Sequence, residues 1–210
     1  MPHHPVVVRR SPEVYDPSED TMLLANNLIV RDNDTILEIG SGCGYVSIVA
    51  AQKARHVVGV DINPFAVKLA KLNARLNQLS NVEFVLGDLF SPISGKFSLI
   101  LMNPPYLQSA KTVDHRNIDY SWNGGEDGRA LTDRFLNEVK EHLKIPGRTL
   151  IVQSSLSGYH RTINRLSEDG FKVRIIAERK LFFETLYLVE ATNMSLNNNG
   201  KSLNQEPAST

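Results

Sequence analysis

Thr35-Ile36-Leu37-Glu38-Ile39-Gly40-Ser41-Gly42-Cys43-Gly44 is the stretch on which the fold turns. Its first five residues form a short run rich in β-branched and apolar side chains that stops at glycine, as a strand does. The glycines that follow suit a turn whose backbone must come close to a ligand. Tyr45 to Ala54 then reads as a helix with Val46, Val49 and Ala50 inward. Working outward, the rhythm repeats. His56 to Val60 is a second strand, and Asn63 caps a helix that opens with Pro64 and runs to about Asn77. Val82 to Leu86 and Phe97 to Met102 are the third and fourth strands. A helix over 129–143 and a strand from Thr149 to Gln153 follow. Ser157 is placed to cap a further helix ending near Asp169-Gly170. Phe171 to Ala177 and Thr185 to Ala191 are two strands whose short link favours an antiparallel pair at the end of the sheet. The sum is an α/β fold, a doubly wound and mainly parallel seven-stranded sheet with an antiparallel last strand.

Upstream, Val14-Tyr15-Asp16-Pro17 is extended chain, because residues before proline avoid the helical region. Ser18 then caps a helix with Glu19 and Asp20 in its first turn and Met22, Leu23, Leu24, Leu28 and Ile29 on its apolar face. One domain over 1–192, with this short helical extension at its start, and a disordered polar tail over 193–210 are expected. Leu107 to Gly128 has no clean period, and loops of that length are mostly functional. Lys111 to Asp127 is the candidate for gripping substrate, with Asp114, His115 and Arg116 read as solvated loop residues.

The chain has 210 residues, 41% hydrophobic and 22% charged, which is ordinary globular composition. Lys plus Arg equals Asp plus Glu at 23 each, so a nucleic-acid partner is not expected. The single cysteine, Cys43, forbids an internal disulfide and cannot build a zinc site with the scattered histidines, so no metal is expected. No apolar run approaches the roughly 20 residues of a membrane span, and Met1 to Arg10 has no signal-peptide core. A cytoplasmic setting without a membrane partner follows as the expectation.

The glycine turn reads Gly-x-Gly-x-Gly, which is not the Gly-x-Gly-x-x-Gly spacing that carries a pyrophosphate. It suits a ligand without phosphate. Asp61 ends the second strand 21 residues after Gly40, where an acid can take both hydroxyls of a ribose. Asp88, after the third strand, is placed to accept from an adenine amino group. Either acid alone is commonly a turn residue. Two of them ending successive strands beside a glycine turn point to a nucleoside. With Glu38 organising the turn or meeting an ammonium end, the profile is that of S-adenosylmethionine.

Asn103-Pro104-Pro105-Tyr106 closes the fourth strand, since two prolines cannot extend a sheet. Asn103 is thereby left at a strand's C-terminal end, where open α/β sheets keep their ligands. Its side-chain oxygen and the Pro104 carbonyl oxygen are two acceptors suited to a planar NH2 group, against which Tyr106 can lie flat.

With these residues in hand, the chain resembles the HemK-type release-factor glutamine N5-methyltransferases, and is most similar to their short eukaryotic and archaeal branch. The matching pieces are 14–21, 37–44, Asp61-Ile62-Asn63-Pro64, Gly87-Asp88-Leu89, Asn103 to Tyr106, 122–129 and Asp133-Arg134-Phe135. The resemblance covers 14–191. It implies a class I, Rossmann-like methyltransferase using S-adenosylmethionine. Thr21, Glu38, Gly40, Gly42, Asp61, Ile62, Asp88, Leu89 and Asn103 would hold the cofactor. Asn103, Pro104, Pro105 and Tyr106 would hold the glutamine amide, with Asn103, Pro104 and Tyr106 at the chemistry. The implied substrate is the Gly-Gly-Gln loop of a class I peptide chain release factor, and the implied partner is a small zinc-binding activator protein. In a sheet of this order Val82 to Leu86 lies at an edge, where β-augmentation could seat that partner. Adenine-N6 methylation of nucleic acid, protein lysine methylation and a non-catalytic nucleoside-binding scaffold of translation factors are the alternatives.

Overall fold

The computed structural model describes residues 6–105 and 128–193. Tyr106, the proposed substrate-gripping segment and the tail from 194 lie outside the described residues. Seven strands form one sheet: β1 Thr35–Ile39, β2 His56–Asp61, β3 Val82–Leu86, β4 Phe97–Met102, β5 Leu143–Ser154, β6 Lys172–Lys180 and β7 Thr185–Asn193. Their spatial order is β3-β2-β1-β4-β5-β7-β6. All neighbours run parallel except β7, which is antiparallel to both β5 and β6. The helices are α1 Glu19–Asn26, α2 Tyr45–Ala51, α3 Pro64–Leu76, α4 Ala130–Glu138 and α5 Tyr159–Glu168.

Both faces of the central strands are covered, which is why β1 and β4 read as mainly apolar runs, with Glu38 and Ser98 the exceptions within them. Ile36, Val57, Leu99 and Leu150 pack with Leu24 of α1 and Val46 and Ala50 of α2. Leu37, Val58, Ile100 and Ile151 face the other way, onto Phe135 of α4 and Leu166 of α5. The strand order reverses between β1 and β4, whose ends are aligned by the pair Ile39 and Met102. The crevice at such a switch point is where this architecture binds ligands.

Three asparagines of the α3 segment fasten the preceding chain. Asn77 exchanges hydrogen bonds with the backbone of Val7, at 3.0 and 2.7 Å. Asn73 does the same with Arg9, at 2.8 and 3.2 Å. Asn63 Nδ2 donates to Glu13 O at 2.8 Å, while its Oδ1 accepts from Phe65 N and caps α3.

Several boundaries differ from expectation. Ser18 sits at the N-cap of α1 but makes no side-chain capping bond. Ile29 is 73% exposed, because α1 has ended and the chain beyond it alternates, with Leu28 and Val30 buried instead. α2 stops at Ala51, three residues short. The helix expected over 129–143 ends at Glu138, and β5 starts at Leu143 rather than Thr149. Pro146 hid that strand. It is accommodated where the β4–β5 register shifts between Phe97 and Leu99, and a Cβ on Gly147 would lie 2.3 Å from Lys144 O. Ser157 caps nothing. Gly158 holds the N-cap position of α5 at φ +64°, and the Ser157 hydroxyl turns back to Ser154 O. β6 runs from Lys172 to Lys180, and β7 continues through Asn193. Among the described residues no helix is long and apolar enough to cross a membrane.

Candidate active site

The turn after β1 is built on left-handed glycines, with φ +74° at Gly40, +54° at Gly42 and +84° at Gly44. Two of them have different jobs. A Cβ on Gly44 would lie 2.9 Å from the Phe84 ring and 3.0 Å from Ala70, so this glycine lets the turn seat on β3 and α3. A Cβ on Gly42 would meet nothing within 4 Å, so this one faces open space. Val60 O accepts from the N–H groups of Gly40 and Ser41, at 2.8 and 3.0 Å.

Asp61 completes the turn. Its Oδ2 accepts from Gly42 N at 2.7 Å and its Oδ1 from Asn63 N at 2.9 Å. Burial raises its carboxyl above the ordinary value, against backbone N–H bonds from Asn63, Gly42 and Ile62 that favour the ion. Asp61 therefore has the structural duty of a turn acid. A carboxylate offers about four lone-pair sites, so acceptor capacity remains for a ligand's hydroxyls. Ile62 beside it is apolar yet 46% exposed.

Glu38 is 4% exposed and accepts from the Ser47 hydroxyl of α2. Burial pushes its carboxyl up to about 8; the hydrogen bonds from Ser47 oppose the rise and the charge of Asp61 adds to it. A cation arriving here would favour the ionised form. Ser47 was missed by sequence reasoning. The available signal was a serine inside the otherwise apolar run Val46 to Ala51.

Asn103 follows β4 directly. Its backbone oxygen would lie 4.0 Å from a Cβ on Gly40, so the carboxamide residue and the glycine turn share one corner. The Asn103 Oδ1 is buried and has no hydrogen-bond partner among the described residues, and neither has Ser41 Oγ. An unsatisfied buried acceptor costs about 1–3 kcal/mol, so a native chain retains one where something else supplies the donor. Pro104 is buried and Pro105 partly so.

The remaining expected residues are less convergent. Asp88 is ion-paired with Arg134 of α4 at 2.8 Å, both about half exposed. Leu89 is buried and takes φ +49°, a left-handed conformation unusual for leucine and found at ligand-holding loops. Thr21 donates its N–H and hydroxyl to Asp20, at 2.6 and 3.2 Å, and Tyr15 donates to both oxygens of the same carboxylate. Thr21 is thus tied into α1's own polar cluster. Arg129, quoted in the sequence only as part of a motif, is 3% exposed and donates to Ser157 O, Gly158 O and Thr162, locking the start of α4 to the start of α5.

A glycine turn, a buried acid and a strand-end carboxamide at the switch point of this sheet define a class I methyltransferase. The family model for the methyltransferase small domain matches residues 12–119. A Methanocaldococcus jannaschii protein, named provisionally as a protein N5-glutamine methyltransferase, is 47% identical over 189 residues, 89% of this chain and 95% of that one. The mouse methyltransferase HEMK2 is 34% identical over 154 residues, 67% of this chain and 71% of that one. The solved complex of E. cuniculi Mtq2 with Trm112, described as responsible for methylation of the eRF1 translation termination factor, superposes with TM-score 0.68 at 22% identity, over 86% of this chain and 99% of that one. The chain belongs to the methyltransferase small domain family, among its HemK-type protein N5-glutamine methyltransferases.

Proposed function

We propose that this chain transfers a methyl group from S-adenosylmethionine to the side-chain amide nitrogen of a glutamine in a protein, namely the Gly-Gly-Gln loop of a class I peptide chain release factor. The observation that carries the reading is the buried Asn103 Oδ1 beside the glycine turn, which has no hydrogen-bond partner among the described residues. The names of the relatives support the substrate.

The residues present fit the proposed donor. Gly42 leaves room at the turn, Asp61 keeps lone pairs for ribose hydroxyls, Ile62 offers apolar surface, and Glu38 can ionise against an ammonium group. Gly40, Asp88, Leu89 and Thr21 complete the proposed contact set. When bound, S-adenosylmethionine supplies an electrophilic methyl on a sulfonium.

An amide nitrogen is a weak nucleophile because its lone pair is delocalised into the carbonyl. Asn103 Oδ1 and the Pro104 carbonyl oxygen accept its two N–H bonds and hold the nitrogen in line, where positioning supplies most of the acceleration. The same two oxygens stabilise the positive charge that grows on nitrogen. Tyr106, outside the described residues, is proposed as the ring that lies against the amide plane. Cys43 is no base, since burial pushes its thiol up to about 11. The proton leaves to water. Intact-mass spectrometry of a release factor incubated with this chain and donor tests the assignment. Asn103→Ala should lose about 10²–10³ in kcat, and a near wild-type kcat would defeat it.

A small zinc-binding activator is proposed to add a strand to β3, the sheet's edge, where Leu86 is 54% exposed. Protection of the 82–86 amides from hydrogen exchange on adding such a partner is the expected result. Unchanged exchange would remove the proposal.

A further inference from the structure

The tip of the β6–β7 hairpin carries two aromatic side chains that the proposed chemistry does not use. Phe182 is 91% exposed and Phe183 is 83% exposed. Their rings meet edge to face, with centroids 4.6 Å apart. Together they put roughly 350 Å² of apolar surface into solvent, taking a phenylalanine at about 200 Å², and contiguous patches of that size on a protein surface are commonly functional.

The tip is held firmly. The Glu184 carboxylate accepts from the Ser154 hydroxyl, Leu181 N donates to Glu184 O at 2.8 Å, and Thr185 N donates to Ser155 Oγ at 3.0 Å. The phenylalanines therefore stand on a fastened turn and do not fold back onto the sheet.

Its place in the fold says what it meets. β5 runs parallel to β4, so both end on the edge where Asn103 sits. Ser154 at the end of β5 pairs with Leu186 at the start of β7, which brings the link 181–184 to that same edge. Ile151 is level with Met102, and Ser154 lies three residues further on. Ser154 thus stands about 7 Å above the level of Asn103, the residues 182–183 reach further out again by up to about 10 Å, and the hairpin lies two to three strands, about 10–15 Å, to the side. Leu156, 60% exposed, continues the apolar rim from the end of β5. The β3 edge proposed for the activator is at the opposite side of the sheet.

We propose that Phe182 and Phe183 are a docking knob for the folded protein substrate, seating in an apolar depression of that protein while its glutamine reaches Asn103. This inference rests on the function proposed above and adds where the substrate is held. A carboxamide grip on one amide cannot distinguish one glutamine from another, so selection among proteins needs contacts outside the pocket. A second copy of this chain is disfavoured as the occupant, because a stable dimer takes about 800 Å² per partner.

The test is the double variant Phe182→Ser/Phe183→Ser, assayed on an intact release factor and on a short Gly-Gly-Gln peptide. The expected result is a KM for the intact protein raised tenfold or more, with kcat on that protein, peptide turnover and donor affinity unchanged. Equal KM values for the two enzymes on the intact protein, with wild-type activity present, would overturn the docking knob and leave the proposed function standing. A wild-type chain that methylates neither substrate would sink the function and this inference together. A wild-type dimer that the double variant loses in sedimentation, with KM unchanged, would give the knob to a second copy.

Discussion

Replacing Glu38 with glutamine should make the protein more stable as the pH rises. The carboxyl is buried and its folded pKa is raised from 4.5 to about 8. Between those values the native state binds a proton that the unfolded chain has released, so stability falls as pH climbs through the window and levels off above it. At about 1.4 kcal/mol per pH unit, the loss has a ceiling of about 5 kcal/mol. Glutamine keeps the acceptor for the Ser47 hydroxyl and carries no charge. It also removes the repulsion felt by Asp61. Urea unfolding of both proteins at pH 5, 7 and 9 isolates the effect, because titrating groups other than Glu38 and its neighbour Asp61 cancel in the difference. The variant's stability relative to wild type should rise by several kcal/mol from pH 5 to 8 and flatten by pH 9. Parallel curves across that range would refute the reasoning, and with it the assignment of Glu38 as a group waiting for a cation.

The last two glycines of the turn should fail in different ways. Gly44→Ala forces a methyl against the Phe84 ring and Ala70 at a left-handed φ, and should cost about 2–4 kcal/mol in thermal or urea unfolding. Gly42→Ala meets no atom, so it should cost only about 1–2 kcal/mol from backbone strain. Its methyl fills the open space instead, and calorimetry should show donor affinity falling at least tenfold; unchanged affinity would mean the donor lies elsewhere.

Much of this architecture was legible because punctuation and periodicity agreed. β3 and β4 fall on the residues expected, since each is a short run closed by glycine or proline. Asn63 caps α3 as Asn before Pro should. The glycine turn and Asp61 were legible for the same reason: few other residues tolerate that backbone or that strand end. What was not legible depended on distant partners. Nothing local says that Leu143 pairs with Phe97 across a bulge, or that Asp88 finds Arg134 from another element. Ser47 and Arg129 are polar groups whose meaning appears only when Glu38 and the α5 start arrive beside them. Ile29 looked apolar enough to bury, but its helix had already ended.

Asn73 is wholly buried, and its Nδ2 donates to Cys43 O in the glycine turn at 2.9 Å while also reaching Arg9 O. One amide thereby ties the chain at Arg9 to the glycine turn. Trimming the first nine residues would leave that amide half-bonded and slacken the glycine turn from behind.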